Sequence, residues 1–251
     1  MHAQDRWPAE LMLMRHAESA GNVARDSAES KGELLIDIAE RDMDVPLSPR
    51  GTEQARAFGE WLASHEGRAP AVVYASPYAR AASTAAIALE RSELDVPLIL
   101  DERLREREFG VLDRLTKRGI EARFPDQAEA RARVGKFYYR PPGGESWCDV
   151  ALRVRSVLDT VSREHGGERI LVVSHEVVIF VLRYVLERLS EADVLALGRE
   201  HPLANCSVTS YSFEPGRDGD RMRLECFNEV RALEQHDAPV THEPDVPRAP
   251  R

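Results

Sequence analysis

The sequence predicts an α/β fold in which helices cover both faces of a mainly parallel sheet. Short apolar segments alternate with amphipathic helical segments along the chain, which is typical of parallel strands joined by crossover helices. With 251 residues, 43% of them hydrophobic, the chain is long enough to bury a substantial core. We interpret residues 1–235 as one domain and residues 236–251, which contain four prolines and few apolar side chains, as a disordered tail.

The N-terminal part begins with an apolar run at residues 11–14, which predicts a strand. Ser19 is placed to cap the helix that follows, and Ser48 with Pro49 marks the start of a second helix. Between these helices, residues 26–45 are polar, mixed in charge and without clear periodicity. We therefore expect a lid in this region.

The middle of the chain continues the alternation. Residues 71–76 and 96–101 predict two further strands, with a helix from about residue 78 to residue 91 between them. Two short helices are expected within residues 116–135.

The C-terminal half opens with a capping box. Ser146 and Asp149 have the capping-box spacing and predict a long helix that runs to about residue 165. A fourth strand is expected at residues 169–175, and the segments "CSVTSYSF" and "MRLECFNEV" predict a closing hairpin.

Polar residues follow three of these strands at their carboxyl ends, where open α/β sheets place their ligand sites. If the strands are neighbours, the side chains that follow them converge in one pocket: Arg15, His16, Arg80 and His175. Two arginines, two histidines and nearby helix N-termini form a concentrated anion site. The anion that suits this set best is a phosphoryl group.

Other interpretations of these residues stay open at this point. Arg15 and His16 are also compatible with a surface pair, Arg80 with a solvated charge, and His175 with a hydrogen-bonded core histidine. Glu18 and Glu176 invite a metal site with the two histidines, but a cation would not recruit two arginines as neighbours. We therefore expect no metal ion.

Composition limits the partners and the compartment. A formal net charge of −9 argues against nucleic acid or an anionic membrane as the main partner. The most apolar stretch, residues 170–186, is too short and too charged to span a membrane. Three cysteines without metal-ligand spacing fit the cytoplasm, and no secretory signal opens the chain.

Five segments occur in an order that resembles the histidine phosphatase superfamily, also called phosphoglycerate mutase-like. They are "LMRHAESAGN", "SPYARAASTA", "LREREFG", "GGES" and "VVSHE". The resemblance covers residues 11–230 and implies a three-layer fold with a mixed, mostly parallel sheet. It also implies that His16 is the nucleophile that becomes phosphorylated, that Asn22 adds a donor, and that Arg15, Arg80 and His175 bind the phosphoryl oxygens.

The resemblance further implies that Glu106 is the general acid and base, with Glu108 as its nearby competitor. A neutral imidazole can attack phosphorus directly, so no metal-generated hydroxide and no cofactor are required. A bound dianion should raise the pKa of Glu106, which favours the acid form that protonates a leaving alkoxide.

A second resemblance concerns the substrate. The segment "GKFYYRPPGGES" is similar to one in the fructose-2,6-bisphosphatase branch. By this similarity Lys136 and Arg140 bind a second phosphate or carboxylate, while Tyr139 packs against a carbon skeleton; the alternative is that they only anchor a surface loop. Glu176 stands where that branch has glutamine, so fructose 2,6-bisphosphate is not the expected substrate.

The expected function is hydrolysis of a small phosphorylated metabolite. The alternative is a cofactor-dependent phosphoglycerate mutase, but the mutase branch has Gly-Asn after its second histidine, whereas this chain has Glu176 and Val177. A third possibility is a phosphate-binding module without catalysis, which the complete set of nucleophile, anion clamp and acid disfavours. The sequence leaves the oligomeric state open.

Overall fold

Six strands form one sheet within residues 7–216 and 220–242, the part of the chain that this computed structural model describes. Across the sheet they lie in the order β3-β2-β4-β1-β5-β6. The pairs β3-β2, β2-β4 and β4-β1 are parallel, whereas β5 pairs antiparallel with both β1 and β6. Their bounds are β1 Glu10–Arg15, β2 Val72–Ala75, β3 Leu98–Leu100, β4 Arg169–Ser174, β5 Val208–Glu214 and β6 Arg221–Glu229.

Helices cover the two faces of this sheet. In the described ranges the α-helices are α1 Ala20–Lys31, α2 Pro49–Ser64, α3 Ala79–Ser92, α4 Lys117–Arg123, α5 Pro125–Val134, α6 Trp147–Glu164, α7 Glu176–Leu186, α8 Glu191–Glu200 and α9 Arg231–Gln235. None of the helices in these ranges has both the length and the apolar character that a membrane span requires. The predicted α/β fold with a mixed, mostly parallel sheet is confirmed.

The central strand β1 shows how the three layers are held together. Leu11 and Leu13 pack into one apolar cluster with side chains of α6 and α7. Met12 and Met14 pack into the other cluster, with side chains of α2, α3 and α9. Alternate residues of a strand point to opposite faces, so a strand buried on both faces is apolar throughout.

Most local predictions are confirmed, and the differences have local causes. The Ser146 capping box opens α6, and two short helices fill the region before it. The N-terminal helix extends further than expected, into the predicted lid. Ser19 and Asn22 form a capping box that stabilises its start, and Gly32 adopts the left-handed conformation (φ 68°) that ends it after residue 31. The irregular segment therefore begins at residue 32 rather than at residue 26.

The segment after α9 differs from the predicted disordered tail. Residues 236–242 lie against the domain, where Ala238 packs beside α2 and Thr241 is only 5% exposed. Main-chain and side-chain hydrogen bonds, rather than apolar burial, hold this segment, which is why a hydrophobic pattern did not reveal it. Residues 243–251 lie outside the described residues, so disorder there stays a prediction.

Gly51, in the first turn of α2, generates a stability prediction. A Cβ atom at this position would lie 1.9 Å from the carbonyl oxygen of Glu18, so the two backbones fit together only with glycine here. We expect Gly51→Ala to lower the free energy of unfolding by about 2 kcal/mol, despite the better helix propensity of alanine. Denaturant unfolding measures this change.

Gly67→Ala is the matched control, because a Cβ atom there meets nothing within 4 Å. Equal stability of the two variants would contradict the close approach at Gly51.

Candidate active site

The carboxyl ends of three adjacent strands, β2, β4 and β1, meet at one edge of the sheet. His16 follows β1, Ser76 follows β2 and His175 follows β4. The structure brings the two histidines together, with their ring centroids 5.0 Å apart in an edge-to-face arrangement. The two histidines of the predicted pocket therefore lie together at this edge.

His16 is held in one tautomer. Its ring is fully buried, and Nδ1 lies 2.7 Å from the carbonyl oxygen of Ala17. A carbonyl oxygen only accepts hydrogen bonds, so Nδ1 carries the hydrogen, and in the neutral ring the lone pair lies on Nε2. The main chain is held as well: the His16 N–H donates to Ser174 (2.8 Å), and its carbonyl accepts from Cys206 N (3.2 Å).

His175 occupies the N-cap position of α7, and its ring faces His16. Its Nε2 lies 2.8 Å from Ser76 Oγ, which fixes the plane of the ring. The ring of Tyr78 packs edge-on against it at 5.4 Å. At a helix N-terminus, His175 lies where the helix dipole favours an anion.

Two carboxylates compete for the acid role, and the geometry separates them. Glu106 is 1% exposed, and its Oε2 lies 4.0 Å from His175 Nδ1. Its Oε1 accepts from the N–H of Arg107 (2.7 Å), which fixes the carboxylate. Glu108 is exposed and its Oε1 accepts from Gly110 N, so it belongs to the surface of the loop.

Arg15 and Arg80 bring positive charge to the same edge. The Arg15 side chain is fully buried and donates to the carbonyl oxygen of Leu203. Arg80, in the first turn of α3, is 4% exposed and pairs with Asp42 in the segment between α1 and α2. Its Nη1 lies 2.6 Å from the Asp42 carbonyl oxygen and 3.0 Å from Oδ1.

Asn22 is oriented by its neighbours in the capping box. Its Oδ1 accepts from the N–H of Ser19 (3.0 Å) and from Ser19 Oγ (2.8 Å). Because the carbonyl oxygen of the amide is committed to these contacts, the amide group contributes its N–H donors elsewhere.

The two acidic residues considered for a metal site have structural partners. Glu18 accepts a hydrogen bond from Ser48 at the start of α2, and it pairs with Arg50 Nη2 at 2.7 Å. Glu176 accepts from the N–H of Leu203 at 3.2 Å. Their carboxylates stabilise the loops around the pocket.

Lys136 lies beside two arginines that sequence reasoning did not assign to the site. Burial, followed by repulsion from Arg131, lowers the pKa of Lys136 to about 8, although Glu176 acts in the opposite direction. Burial and the same arginine lower the pKa of Arg107 to about 10. The mutual repulsion of Arg107, Arg131 and Lys136 indicates cations close enough to interact, which makes them a candidate for a second anion site.

Arg107 could have been recognised from the sequence as a candidate, because it directly follows Glu106 in "LREREFG". Its Nε donates to the carbonyl oxygen of Glu145 (2.6 Å), which holds it beside the start of α6. Arg131 gives no such signal, because it is one of several arginines on a polar helix.

The other two residues of the implied substrate segment have different partners. The Tyr139 hydroxyl donates to Gln127 Oε1 (2.9 Å). Arg140 is exposed and its Nε lies 2.7 Å from Asp149 Oδ2. Burial alone would raise the pKa of Asp149, but the hydrogen bonds from Arg140 and Ser146 lower it to about 2. Tyr139 and Arg140 therefore match the alternative interpretation, in which they anchor a loop.

Known proteins share this sequence pattern and this fold. The family model for the histidine phosphatase superfamily (branch 1) matches residues 11–228. A 2,3-bisphosphoglycerate-dependent phosphoglycerate mutase of Methylobacterium radiotolerans is 35% identical over 187 residues, which are 73% of this chain and 82% of the mutase. A 6-phosphofructo-2-kinase/fructose-2,6-bisphosphatase of Gallus gallus is 31% identical over 73% of this chain and 34% of its own length.

Among solved structures, a mycobacterial glucosyl-3-phosphoglycerate phosphatase in complex with inorganic phosphate superposes with a TM-score of 0.67. It is 28% identical, and the match covers 89% of this chain and 99% of that chain. The extent of the family match and these likenesses lead to one conclusion: the chain belongs to the histidine phosphatase superfamily.

Proposed function

We propose that this chain is a phosphatase that hydrolyses a small phosphomonoester through a phosphohistidine on His16, with no metal ion needed for the chemistry. The observation that carries the proposal is the 2.7 Å contact between His16 Nδ1 and the carbonyl oxygen of Ala17. Because the Ala17 carbonyl holds the hydrogen on Nδ1, Nε2 has the lone pair for attack on phosphorus. We place the reaction in the cytoplasm, in keeping with three cysteines that lack metal-ligand spacing.

In the first half of the reaction, Nε2 of His16 forms a bond to phosphorus as the bond to the leaving oxygen breaks. Arg15, Arg80 and His175 donate to the phosphoryl oxygens, where charge is redistributed in the transition state. Glu106, 4.0 Å from His175, gives its proton to the leaving alkoxide. The products of this step are phosphohistidine and an alcohol.

In the second half, water attacks the phosphohistidine. Glu106, now ionised, accepts a proton from the attacking water, and the P–N bond breaks to return neutral His16 and inorganic phosphate. The same carboxylate therefore serves as acid and then as base.

Asp42 adds a step before the chemistry. The Arg80 guanidinium donates to the carbonyl oxygen of Asp42 and pairs with its carboxylate. In this proposal the same guanidinium binds the phosphoryl oxygens. A substrate dianion exchanges with, or shares, that contact as it enters. Since Asp42 belongs to the irregular segment 32–45, phosphate binding is coupled to the position of that segment.

Arg107, Arg131 and Lys136 support a substrate whose leaving group carries a second anion. Arg107 directly follows the proposed acid in the chain, which favours a position for this cluster near the leaving group. A phosphate or carboxylate is the group that these cations fit. Such a subsite serves a mutase as well as a phosphatase, which keeps phosphoglycerate mutase as the second candidate.

The nucleophile is tested by removing it. We expect His16→Ala to abolish phosphate release and acid-labile incorporation of ³²P from a labelled phosphomonoester, because the variant lacks the proposed nucleophile. Assays with a panel of phosphoglycerates, sugar phosphates and p-nitrophenyl phosphate measure this loss. His201→Ala, an exposed histidine after α8, is the control and retains wild-type activity.

A different result on the same panel would favour the second candidate. If 3-phosphoglycerate is converted to 2-phosphoglycerate after priming with bisphosphoglycerate, without phosphate release, then transfer rather than hydrolysis is the activity.

The acid is tested by matching substitutions at the two carboxylates. Glu106→Gln should lower kcat by about 10²-fold to 10³-fold for an alkyl phosphate, which needs a proton on its leaving oxygen. The loss should be smaller for p-nitrophenyl phosphate, whose leaving group departs as an anion. Glu108→Gln should change kcat less than twofold, and a larger loss at Glu108 would exchange the two roles.

The second anion site generates a pH prediction. Lys136 is protonated below its lowered pKa of about 8 and binds an anion only in that form. The KM for 3-phosphoglycerate should therefore rise as the pH rises through 8, whereas the KM for p-nitrophenyl phosphate should not. Lys136→Gln should remove this pH-dependent rise; its persistence would show that another group causes it.

A further inference from the structure

We propose that the C-terminal segment, residues 236–242, is a positioning element of the active site. It acts through Thr241 and Asn205, and its targets are His16 and Asn22. The proposal rests on the proposed phosphatase function for its kinetic readout and on hydrogen bonds for its geometry.

The segment is anchored to the loop before β5 by two bonds between the same residues. The N–H of Asn205 donates to the carbonyl oxygen of Thr241 at 2.9 Å. The hydroxyl of Thr241 donates to Asn205 Oδ1 at 3.0 Å. Both residues are buried, so water does not replace these contacts when they are lost.

Asn205 connects the C-terminal segment to the loop after β1, which contains His16. Its Nδ2 donates to the carbonyl oxygen of His16 (3.3 Å) and lies 3.4 Å from Asn22 Oδ1. The Thr241 hydroxyl thereby decides which end of the Asn205 amide faces His16. If that amide turned over, its oxygen would face two carbonyl oxygens, an arrangement that is repulsive.

Gln54 of α2 provides a second connection. Its Nε2 donates to Pro239 O (2.8 Å) and to Thr241 Oγ1 (3.0 Å). Its Oε1 accepts from the N–H of Glu18 at 2.8 Å. The C-terminal segment thus reaches the loop after β1 through two different side chains.

The hydroxyl of Thr241 is the point where both connections meet, since it accepts from Gln54 and donates to Asn205. Removing it leaves buried polar groups without a partner, and the carbonyl of His16 is then no longer fixed from this side. Small displacements of a nucleophile have large effects on rate. Thr241 is therefore a positioning residue that touches no reacting atom.

The test compares three variants of the full-length chain. Thr241→Val removes the hydroxyl at nearly constant volume, and Thr241→Ser retains it. Thr160→Val, on α6, is the matched control. The Thr160 hydroxyl also makes two hydrogen bonds: it donates to the carbonyl oxygen of Ser156 (3.1 Å) and accepts from Arg103 Nη1 (3.0 Å). Removal of residues 239–251 is a second way to remove the contact.

With p-nitrophenyl phosphate, we expect Thr241→Val and the truncated chain to lose about tenfold in kcat with less than threefold change in KM. Thr241→Ser and Thr160→Val should stay within twofold of the wild type. If Thr241→Val retains a kcat within twofold of Thr160→Val, the positioning role is overturned.

A readout without turnover separates this inference from the proposed function. In ¹H–¹⁵N spectra, Thr241→Val should shift the side-chain amide signals of Asn205 and Asn22 and the ring signals of His16, whereas Thr160→Val should leave them in place. An inactive wild type with these shifts would contradict only the phosphatase function. Unshifted signals in Thr241→Val would contradict the inference whether or not the wild type is active.

Discussion

The buried guanidinium of Arg15 is the constraint on which the rest of the structure depends. A charged side chain with no exposed surface is costly to place unless hydrogen-bond acceptors or an anion surround it. The carbonyl of Leu203 is one such acceptor, and it belongs to the loop before β5. The charge of Arg15 thereby helps to hold that loop in place, and it favours an anion as the ligand of the proposed site.

Fixing that charge also fixes the proposed nucleophile next to it. His16 follows Arg15 directly, and the loop that contains both is held by β4 through Ser174, by the loop before β5 through Cys206, and by α2 at Gly51. Each contact uses main-chain atoms, so the loop keeps its shape without depending on the substrate. A preorganised site of this kind does not reorganise when charge moves in the reaction.

The sequence revealed the features that depend on local chemistry. The alternation of strands and helices, the capping box at Ser146 and the polar residues after three strands are all readable within short windows. The contacts that it did not reveal join residues far apart in the chain, such as Thr241 with Asn205 and Gln54. No periodicity marks a residue whose role is one buried hydrogen bond, so the segment after residue 235 resembled a tail.

The two proposed anion sites differ in how their charges respond to pH. Arginine stays protonated across the physiological range, so a phosphoryl site built on Arg15 and Arg80 keeps its charge at any pH at which the fold persists. The neighbouring site includes Lys136, whose pKa of about 8 lies close to that range. In this proposal, binding of the phosphoryl group by the two arginines therefore depends on constant charges, whereas recognition of the leaving group depends on one that can be lost. Substrate preference can therefore change with pH, or by mutation at the Lys136 site, while the proposed binding of the phosphoryl group stays the same.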